Sequence, residues 1–273
     1  MVFLSFSAVL VGAMLVLVLG LGWRFDARVQ ALEAQLVQGN MSPDRAKREL
    51  PGPVRSVALR AGAGQGGAIR AVRLTQRAEM QLDASKPWQP LSARQVISVS
   101  TPGFSWLACS RKGPVAVLSI LDAYVAGSGL LQARLFGAIP LADAHGPDLS
   151  RGEAMRYLAE LPWAPDAILV NPDIEWSVAM DGWIEAQLSL EAGTALVRLR
   201  ANDHGEIVEI TAKDRPARLP DGTTALMDWR GLFSAHAEMG GRRIPLAGEV
   251  GYVVDGHYRP YWRGRITSYE LVR

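Results

Sequence analysis

The sequence predicts a mainly β protein: a large antiparallel meander sheet, curved into a half-barrel around one plug helix and preceded by an N-terminal transmembrane helix. Three observations support this fold class. From residue 72 onward, apolar and polar residues alternate with the period of two that is typical of strands. Within that region residues 150–161 carry a clear helical pattern, and at the N-terminus residues 2–21 form an uncharged apolar run.

The composition is that of a folded protein. Of the 273 residues, 49% are hydrophobic and 21% are charged, which excludes a disordered chain. The net charge of +2 argues against general nucleic-acid binding. Cys109 is the single cysteine, so no internal disulfide can form and the redox compartment stays open.

The apolar run Val2 to Leu21 is predicted to be a membrane anchor. At about 1.5 Å per residue it could cross a hydrocarbon core of about 30 Å. Because no basic region precedes it and no small-residue cleavage site follows, an uncleaved anchor over residues 1–22 is favoured over a signal peptide. The prediction is a single-pass membrane protein. Arg24 and Arg28 after the run favour a cytoplasmic domain.

Residues 23–69 are predicted to form a helical stalk and a linker rich in Gly and Pro, ahead of an antiparallel β domain over residues 70–273. Three glycines of this linker, Gly62, Gly64 and Gly67, satisfy the dinucleotide-binding pattern G-x-G-x-x-G. That pattern requires a helix directly after the glycines, whereas the residues that follow alternate as a strand does. The glycines are therefore predicted to form a flexible loop, and no cofactor is expected.

Matching apolar positions across predicted hairpins fixes their register. A two-residue turn at Gly240-Gly241 places Trp229 opposite Tyr252. At Asp255-Gly256 a two-residue turn would instead pair apolar with polar residues. A three-residue loop with a bulge, which places Tyr252 opposite Tyr258, is therefore predicted there.

The predicted helix 150–161 is interpreted as the cover of the apolar sheet face. Ser150 and Glu153 match a capping box, and Pro162 follows the last helical residue. A helical wheel gathers the apolar residues on one side, which are Ala154, Met155, Tyr157, Leu158 and Leu161. The opposite side carries Glu153, Arg156 and Glu160 and is predicted to face solvent.

Several segments together resemble an uncharacterised family of bacterial proteins that are often membrane-anchored. These are LDAYVAGSGLLQARLFGAIPLADAHG, GEAMRYLAELPWAP, NPDIEW, GGRRIPLAGEVGYVV and YWRGRITSYE. The resemblance covers roughly residues 50–273 and brings no established reaction. A curved sheet with a helix in its hollow is also similar to the half-barrels that carry lipoproteins or lipids. This analogy implies an extracytoplasmic domain, so the side of the membrane stays open.

Catalytic candidates are weak. Asp143 and His145 lie just before the predicted helix, and His236 shares a predicted strand face with Glu238. Either pair could serve a hydrolytic enzyme, although ion pairs on an exposed sheet face are the commoner meaning. The four histidines lack metal-ligand spacing, so no metal site is predicted.

The preferred hypothesis is that the concave face binds a hydrophobic or lipidic ligand, because an apolar sheet face beneath one helix can enclose an acyl chain. The residues predicted to contact it are aromatic: Tyr157, Trp163, Trp176, Trp229 and Trp262. The expected partners are a membrane and a hydrophobic ligand, without nucleic acid, and protein partners stay undetermined. A non-catalytic structural or interaction module at the membrane is the remaining alternative.

Overall fold

A computed structural model describes residues 2–38, 49–81, 83, 85–113, 115–191, 193–219 and 222–273. The helices are α1 (Val2–Val37), α2 (Gly52–Arg60), α3 (Pro147–Ala159) and α4 (Pro165–Val170), with a 3-10 turn at Leu161–Trp163. The first six strands are β1 (Ala71–Met80), β2 (Gln89–Ser98), β3 (Phe104–Lys112), β4 (Val115–Val125), β5 (Ser128–Leu135) and β6 (Ile139–His145). The other seven are β7 (Glu175–Val178), β8 (Ile184–Leu190), β9 (Gly193–Ala201), β10 (Ile207–Arg218), β11 (Thr224–Met239), β12 (Arg242–Val254) and β13 (His257–Val272).

In the described part of the chain, all thirteen strands belong to one antiparallel sheet. Its order is β6-β5-β4-β3-β2-β1-β13-β12-β11-β10-β9-β8-β7. The sheet consists of two meanders joined where β1 pairs with β13, and the connection from β6 to β7, which contains α3 and α4, runs between the two outermost strands. The prediction of a mainly β, antiparallel sheet is confirmed.

The sheet curls around α3. Ser150 of this helix accepts a hydrogen bond from the backbone N–H of Gly129 on β5, at 2.9 Å. The neighbouring Arg151 donates to the carbonyl of Thr194 on β9, at 3.1 Å. Because β5 and β9 lie near opposite ends of the strand order, one short helix can touch both only if the sheet wraps around it. This is the predicted half-barrel.

We call the sheet face that contacts α3 the inner face and the opposite one the outer face. On β1, the buried inner residues Val72, Leu74 and Ala78 alternate with exposed outer residues such as Arg77. The inner residues join one large apolar core with Tyr157 of α3. The alternation read from the sequence thus fixes which side chains fill the half-barrel.

Helix α1 covers part of the outer face. Its residues Phe25 and Val29 are buried in a separate cluster with Leu107 of β3 and Leu121 of β4. Leu36 is buried in a third cluster with Val96 of β2. The second half of α1 therefore packs on the sheet across β2, β3 and β4.

The prediction of a transmembrane helix over residues 1–22 is corrected by this structure. The single-pass membrane location and the membrane partner, which depended on that helix, are corrected with it. Among the helices of the described residues, none combines the length and the apolar character needed to cross a bilayer.

The hairpin predictions are confirmed at one turn and corrected at another. Across Gly240-Gly241, Trp229 lies opposite Tyr252, as predicted. Across Asp255-Gly256, Tyr252 lies opposite Arg259, so the loop there has two residues. The bulge that restores the facing of apolar residues lies between Val250 and Gly251, several residues away from the turn. Apolar matching required a bulge but could not locate it.

Candidate functional site

The aromatic residues predicted to contact a ligand lie on the inner side of the sheet, where Tyr157 and Trp163 belong to the helical segment that packs against the inner face. Tyr157, Trp163, Trp229 and Trp262 are buried, and Trp176 is half-buried. Three of their polar atoms are bonded within the core. The Tyr157 hydroxyl donates to the carbonyl of Ser98 at 3.2 Å, the Trp163 indole N–H to Pro245 at 2.9 Å, and the Trp229 indole N–H to the Tyr261 hydroxyl at 3.1 Å.

Close packing fills the inner face around Trp163. Its ring meets Phe233 edge-on at a centroid distance of 5.4 Å and Trp262 at 6.4 Å. It also packs closely against β12 at Gly248, where an added Cβ would come within 3.2 Å of the indole. Contact between these aromatic residues and a ligand stays a prediction.

The Asp143 and His145 pair is not assembled as a catalytic pair. Both side chains are exposed on β6, and Asp143 accepts a hydrogen bond from Gln132 at 2.8 Å. Among the described residues, no hydrogen bond or ion pair joins Asp143 to His145.

His236 is paired with a residue that the sequence did not suggest. Its Nδ1 lies 3.8 Å from Glu206, and its Nε2 lies 3.1 Å from the carbonyl oxygen of Ile207. Glu238 is exposed, and Arg243, which lies opposite it on β12, reaches Glu206 instead, at 2.7 Å. Burial lowers the pKa of His236, while the Glu206 carboxylate opposes that shift. Glu206 follows a turn and was not recognised, because strand alternation says nothing about turn residues.

The largest departure from the sequence interpretation is a buried charge cluster between α3 and the inner face. It comprises Asp122, Glu153, Arg156, Glu160 and Arg215. Arg156 forms ion pairs with Asp122 of β4 and, at 2.9 Å, with Glu160 one turn along α3. Arg215 of β10 lies 3.5 Å from Glu153. The helix face predicted to be solvent-exposed is therefore enclosed, and that prediction was wrong.

Aromatic rings complete the buried charge cluster. The Arg156 guanidinium lies over the rings of Phe104 and Trp106, at 4.8 Å and 5.0 Å from their centroids. Arg215 lies 4.7 Å above Trp229 and donates to the Tyr252 hydroxyl at 2.8 Å. Such contacts stabilise a cation that has lost its water.

Burial shifts the pKa values of two carboxyl groups in the cluster. Burial raises the pKa of Glu153 well above its ordinary value, the Asp122 charge adds to this, and Arg215 and Arg156 offset it in part. Burial also raises the pKa of Glu160, against the attraction of Arg156. One oxygen each of Asp122 and Glu153 lacks a hydrogen-bond partner in the described structure. A proton on Glu153 would satisfy both, because its O–H can donate to Asp122.

The outer face holds a second feature, a recess of about 980 Å³. It crosses six neighbouring strands, β3-β2-β1-β13-β12-β11. Arg77 and Glu79 flank the buried Ala78 on β1, and Arg263 and Arg265 flank Gly264 on β13, so these four charged side chains share the outer face. We call this feature the outer recess.

Side chains of mixed character line the outer recess. The apolar ones are Leu232 and Ala247 at the β11 end and Pro90 and Cys109 at the β3 end. Four arginines and two glutamates also contribute, namely Arg77, Arg111, Arg263, Arg265, Glu79 and Glu249. The recess can therefore accept a molecule that has both an apolar part and an anionic part.

One arginine of the outer recess is neutralised within the protein. Arg263 lies opposite Glu79 on β1 and Glu249 on β12, and it forms an ion pair with Glu79 at 2.7 Å. Its guanidinium also lies 4.5 Å above the ring of Trp88. Trp88 was not recognised from the sequence, because it lies just before β2 and outside any alternating pattern.

Two other arginines of the outer recess lie side by side. Arg77 and Arg265 face each other across the β1–β13 pair, and their outer neighbours are Ser92 on β2 and Ala247 on β12. Neither has an ion-pair partner among the described residues. Across all the residues that the structure describes, no three His, Cys, Asp or Glu side chains converge as metal ligands would.

Several solved structures of low sequence identity are similar in fold to this chain. The chain is similar to a LolA superfamily protein from Nitrosomonas europaea, with 8% identity, a TM-score of 0.42, and 81% of this chain and 94% of that one covered. A DUF1329 family protein from Desulfovibrio piger gives 12% identity, a TM-score of 0.45 and coverages of 81% and 94%. A putative outer membrane lipoprotein-sorting protein domain from Vibrio parahaemolyticus gives 8%, 0.44, 80% and 90%. The descriptions of the Nitrosomonas europaea and Vibrio parahaemolyticus proteins agree with the half-barrel resemblance.

The sequence comparison is more specific. No curated protein matches the chain. Residues 40–264, which contain the whole of β1 to β12, match one family of unknown function, in agreement with the resemblance drawn from the quoted segments. The chain belongs to this family, DUF6544.

Proposed function

We propose that this protein binds a hydrophobic or amphiphilic ligand with an acyl chain, and that the ligand lies in the outer recess. The observation that carries the proposal is the recess itself. Its volume of about 980 Å³ lies at the upper end of the roughly 300–1,000 Å³ of small-molecule sites. It has apolar side chains toward both ends and charged side chains in its middle, a combination that suits an amphiphile.

The inner face offers less room. The Trp163 ring is wedged between Phe233, Trp262 and the backbone at Gly248, so a ligand there would first have to displace the core. Binding in the outer recess requires no such displacement. We therefore place the ligand on the opposite side of the sheet from the aromatic residues predicted from the sequence.

An acyl chain can supply much of the binding free energy. Ten methylene groups would contribute about 8 kcal/mol if fully buried. Association costs roughly 4–15 kcal/mol in lost freedom, and an open recess buries only part of a chain. At most about 4 kcal/mol remains, so the expected affinity for an uncharged amphiphile is weak, in the millimolar range.

Hydrolysis at His236 is less well supported. The cavity that borders His236 and Glu206 measures about 40 Å³. A single water needs roughly 10–15 Å³ of cavity volume, so the space suits a few waters and not a substrate. The size difference between the two cavities favours binding over catalysis.

Tryptophan fluorescence of the full chain tests the proposal. The probe is decanoyl lysophosphatidylcholine below its critical micelle concentration. We expect a saturable change that largely disappears in Trp88→Phe, because Trp88 contacts Arg263 at the recess. Ala247→Trp should block binding by filling the recess, whereas Thr224→Trp, exposed on β11 outside the recess, should not.

No saturable change, or equal binding by Ala247→Trp and the wild type, would contradict the proposal. A signal that persists in Trp88→Phe together with unimpaired binding by Ala247→Trp would move the ligand to the inner face.

A further inference from the structure

We propose that the outer recess recognises the phosphate head group of its amphiphile through Arg77 and Arg265. This inference rests on the proposed function and adds the chemical class of the ligand.

The two guanidinium groups belong to neighbouring residues on adjacent strands. Arg77 and Arg265 are directly cross-strand neighbours on the outer face. Side chains in such positions have Cβ atoms about 4.5–5.5 Å apart, and like charges placed there destabilise a sheet. An anion that bridges both groups converts this repulsion into attraction.

The adjacent row of the same recess has a different charge balance. Two residues along β13, Arg263 lies between Glu79 and Glu249 and is neutralised by the protein itself. In the row of Arg77 and Arg265, Arg77 itself has the β1 position that corresponds to Glu79, and Ala247 has the β12 position that corresponds to Glu249. Neither arginine has an ion-pair partner among the described residues, and both line the recess.

A phosphate group is chemically complementary to this pair of arginines. Guanidinium groups bind phosphate oxygens in bidentate geometry, and charge-assisted hydrogen bonds of this kind are about twice as strong as neutral ones. The hydroxyl of Ser92, next to Arg77, is a further donor on the outer face. Two arginines and a hydroxyl suit a phosphate with several free oxygens better than a zwitterionic head group, whose cation the arginines would repel.

Isothermal titration of the full chain separates head-group recognition from acyl-chain binding. The three probes are decanoyl lysophosphatidic acid, decanoyl lysophosphatidylcholine and inorganic phosphate, each below any critical micelle concentration. We expect the lysophosphatidic acid to bind about tenfold more tightly than the lysophosphatidylcholine, the equivalent of ~1.4 kcal/mol. Inorganic phosphate alone should bind far more weakly than either amphiphile.

The double variant Arg77→Gln/Arg265→Gln should bind both amphiphiles equally, at the level of the lysophosphatidylcholine. The matched control is Arg73→Gln, which removes one exposed arginine from the same strand and face, opposite Glu270 and outside the recess. It should keep the tenfold preference. The melting temperature of the double variant should equal or exceed that of the wild type, since repulsion is removed, whereas a merely structural role would lower it.

Equal binding of the two amphiphiles by the wild type would overturn the head-group inference while leaving acyl-chain binding intact. Inorganic phosphate that binds as tightly as the lysophosphatidic acid would mean a site for a free anion, and would overturn both the inference and the proposed function. Absence of binding by all three probes would also overturn both.

Discussion

Arginine side chains have opposite electrostatic surroundings on the two sides of the sheet. On the inner face, Arg156 is enclosed by three carboxyl groups and two aromatic rings, with 17% of its side chain exposed. On the outer face, Arg77 lies beside Arg265 in an open recess, where no carboxylate of the described residues pairs with it. The buried ion pairs of Arg156 hold α3 in the half-barrel. The unpaired charges of Arg77 and Arg265, in contrast, are available to a ligand.

The largest expected effect comes from breaking the inner arrangement. Arg156→Ala would leave Asp122, Glu153 and Glu160 buried without their main counter-charge. Removal of one partner of a buried ion pair typically costs about 3–5 kcal/mol. We expect a loss of that size in the free energy of unfolding, measured by urea denaturation.

The matched outer-face control is Arg263→Ala. Both partners of the Arg263–Glu79 ion pair are about half exposed, at 52% and 45%. Its loss should cost under about 1 kcal/mol. Similar costs for Arg156→Ala and Arg263→Ala would contradict the distinction between the faces.

The apolar contribution of α3 is tested by Leu158→Ala. Leu158 is fully buried, and truncation of a buried leucine costs about 2–5 kcal/mol. Leu226→Ala on β11 is the control, because Leu226 is 58% exposed and its truncation should have little effect. If thermal or urea unfolding gives the two variants equal stability, the position of α3 in the half-barrel is wrong.

A smaller effect, of opposite sign, is expected for Glu153→Gln. The pKa of Glu153 is higher in the folded state than the ordinary 4.5, chiefly because of burial. Its protonation therefore favours folding at pH values below 4.5, and this contribution is lost as the pH rises through the raised pKa. Gln has no proton to lose, so the variant should gain stability relative to the wild type as the pH rises above 4.5 and through the raised pKa of Glu153.

Urea unfolding of both proteins across this pH range measures the difference. A variant that instead loses stability relative to the wild type as the pH rises would show that ionised Glu153 is a favourable partner of Arg215, 3.5 Å away.

The sequence was informative where the period of the pattern alone decides the structure. Alternation along β1 identified its inner residues, and the Gly240-Gly241 hairpin was placed in the observed register. The sequence was misleading where the curvature of the sheet determines which residues are buried. A helical wheel assumes that one side of a helix faces water, but α3 is enclosed by a sheet that reaches both of its flanks, at β5 and β9. Glu160, predicted to be exposed, is therefore 6% exposed.

The site was harder to predict than the fold. The outer recess depends on which strands become neighbours, and the pairing of Arg77 with Arg265 joins residues far apart in the sequence. No local pattern carries that information. The aromatic residues chosen from the sequence were recognisable because they are large and apolar, which are also the properties that place them in a core.

The smallest expected effect is on stability in the outer recess. Arg77→Gln/Arg265→Gln should change the free energy of unfolding by well under about 1 kcal/mol, because exposed charges contribute little. Differential scanning calorimetry in the absence of ligand should show no decrease in melting temperature. A clear decrease would mean that these arginines support the sheet.

The position of the ligand tests the central claim most directly. A crystal structure of the full chain with decanoyl lysophosphatidic acid, brominated at the end of its acyl chain, would locate the bromine by anomalous scattering. We predict bromine density in the outer recess beside Ala247 or Cys109, with the phosphate between Arg77 and Arg265. Bromine density on the inner face among Trp163, Phe233 and Trp262 would contradict the account.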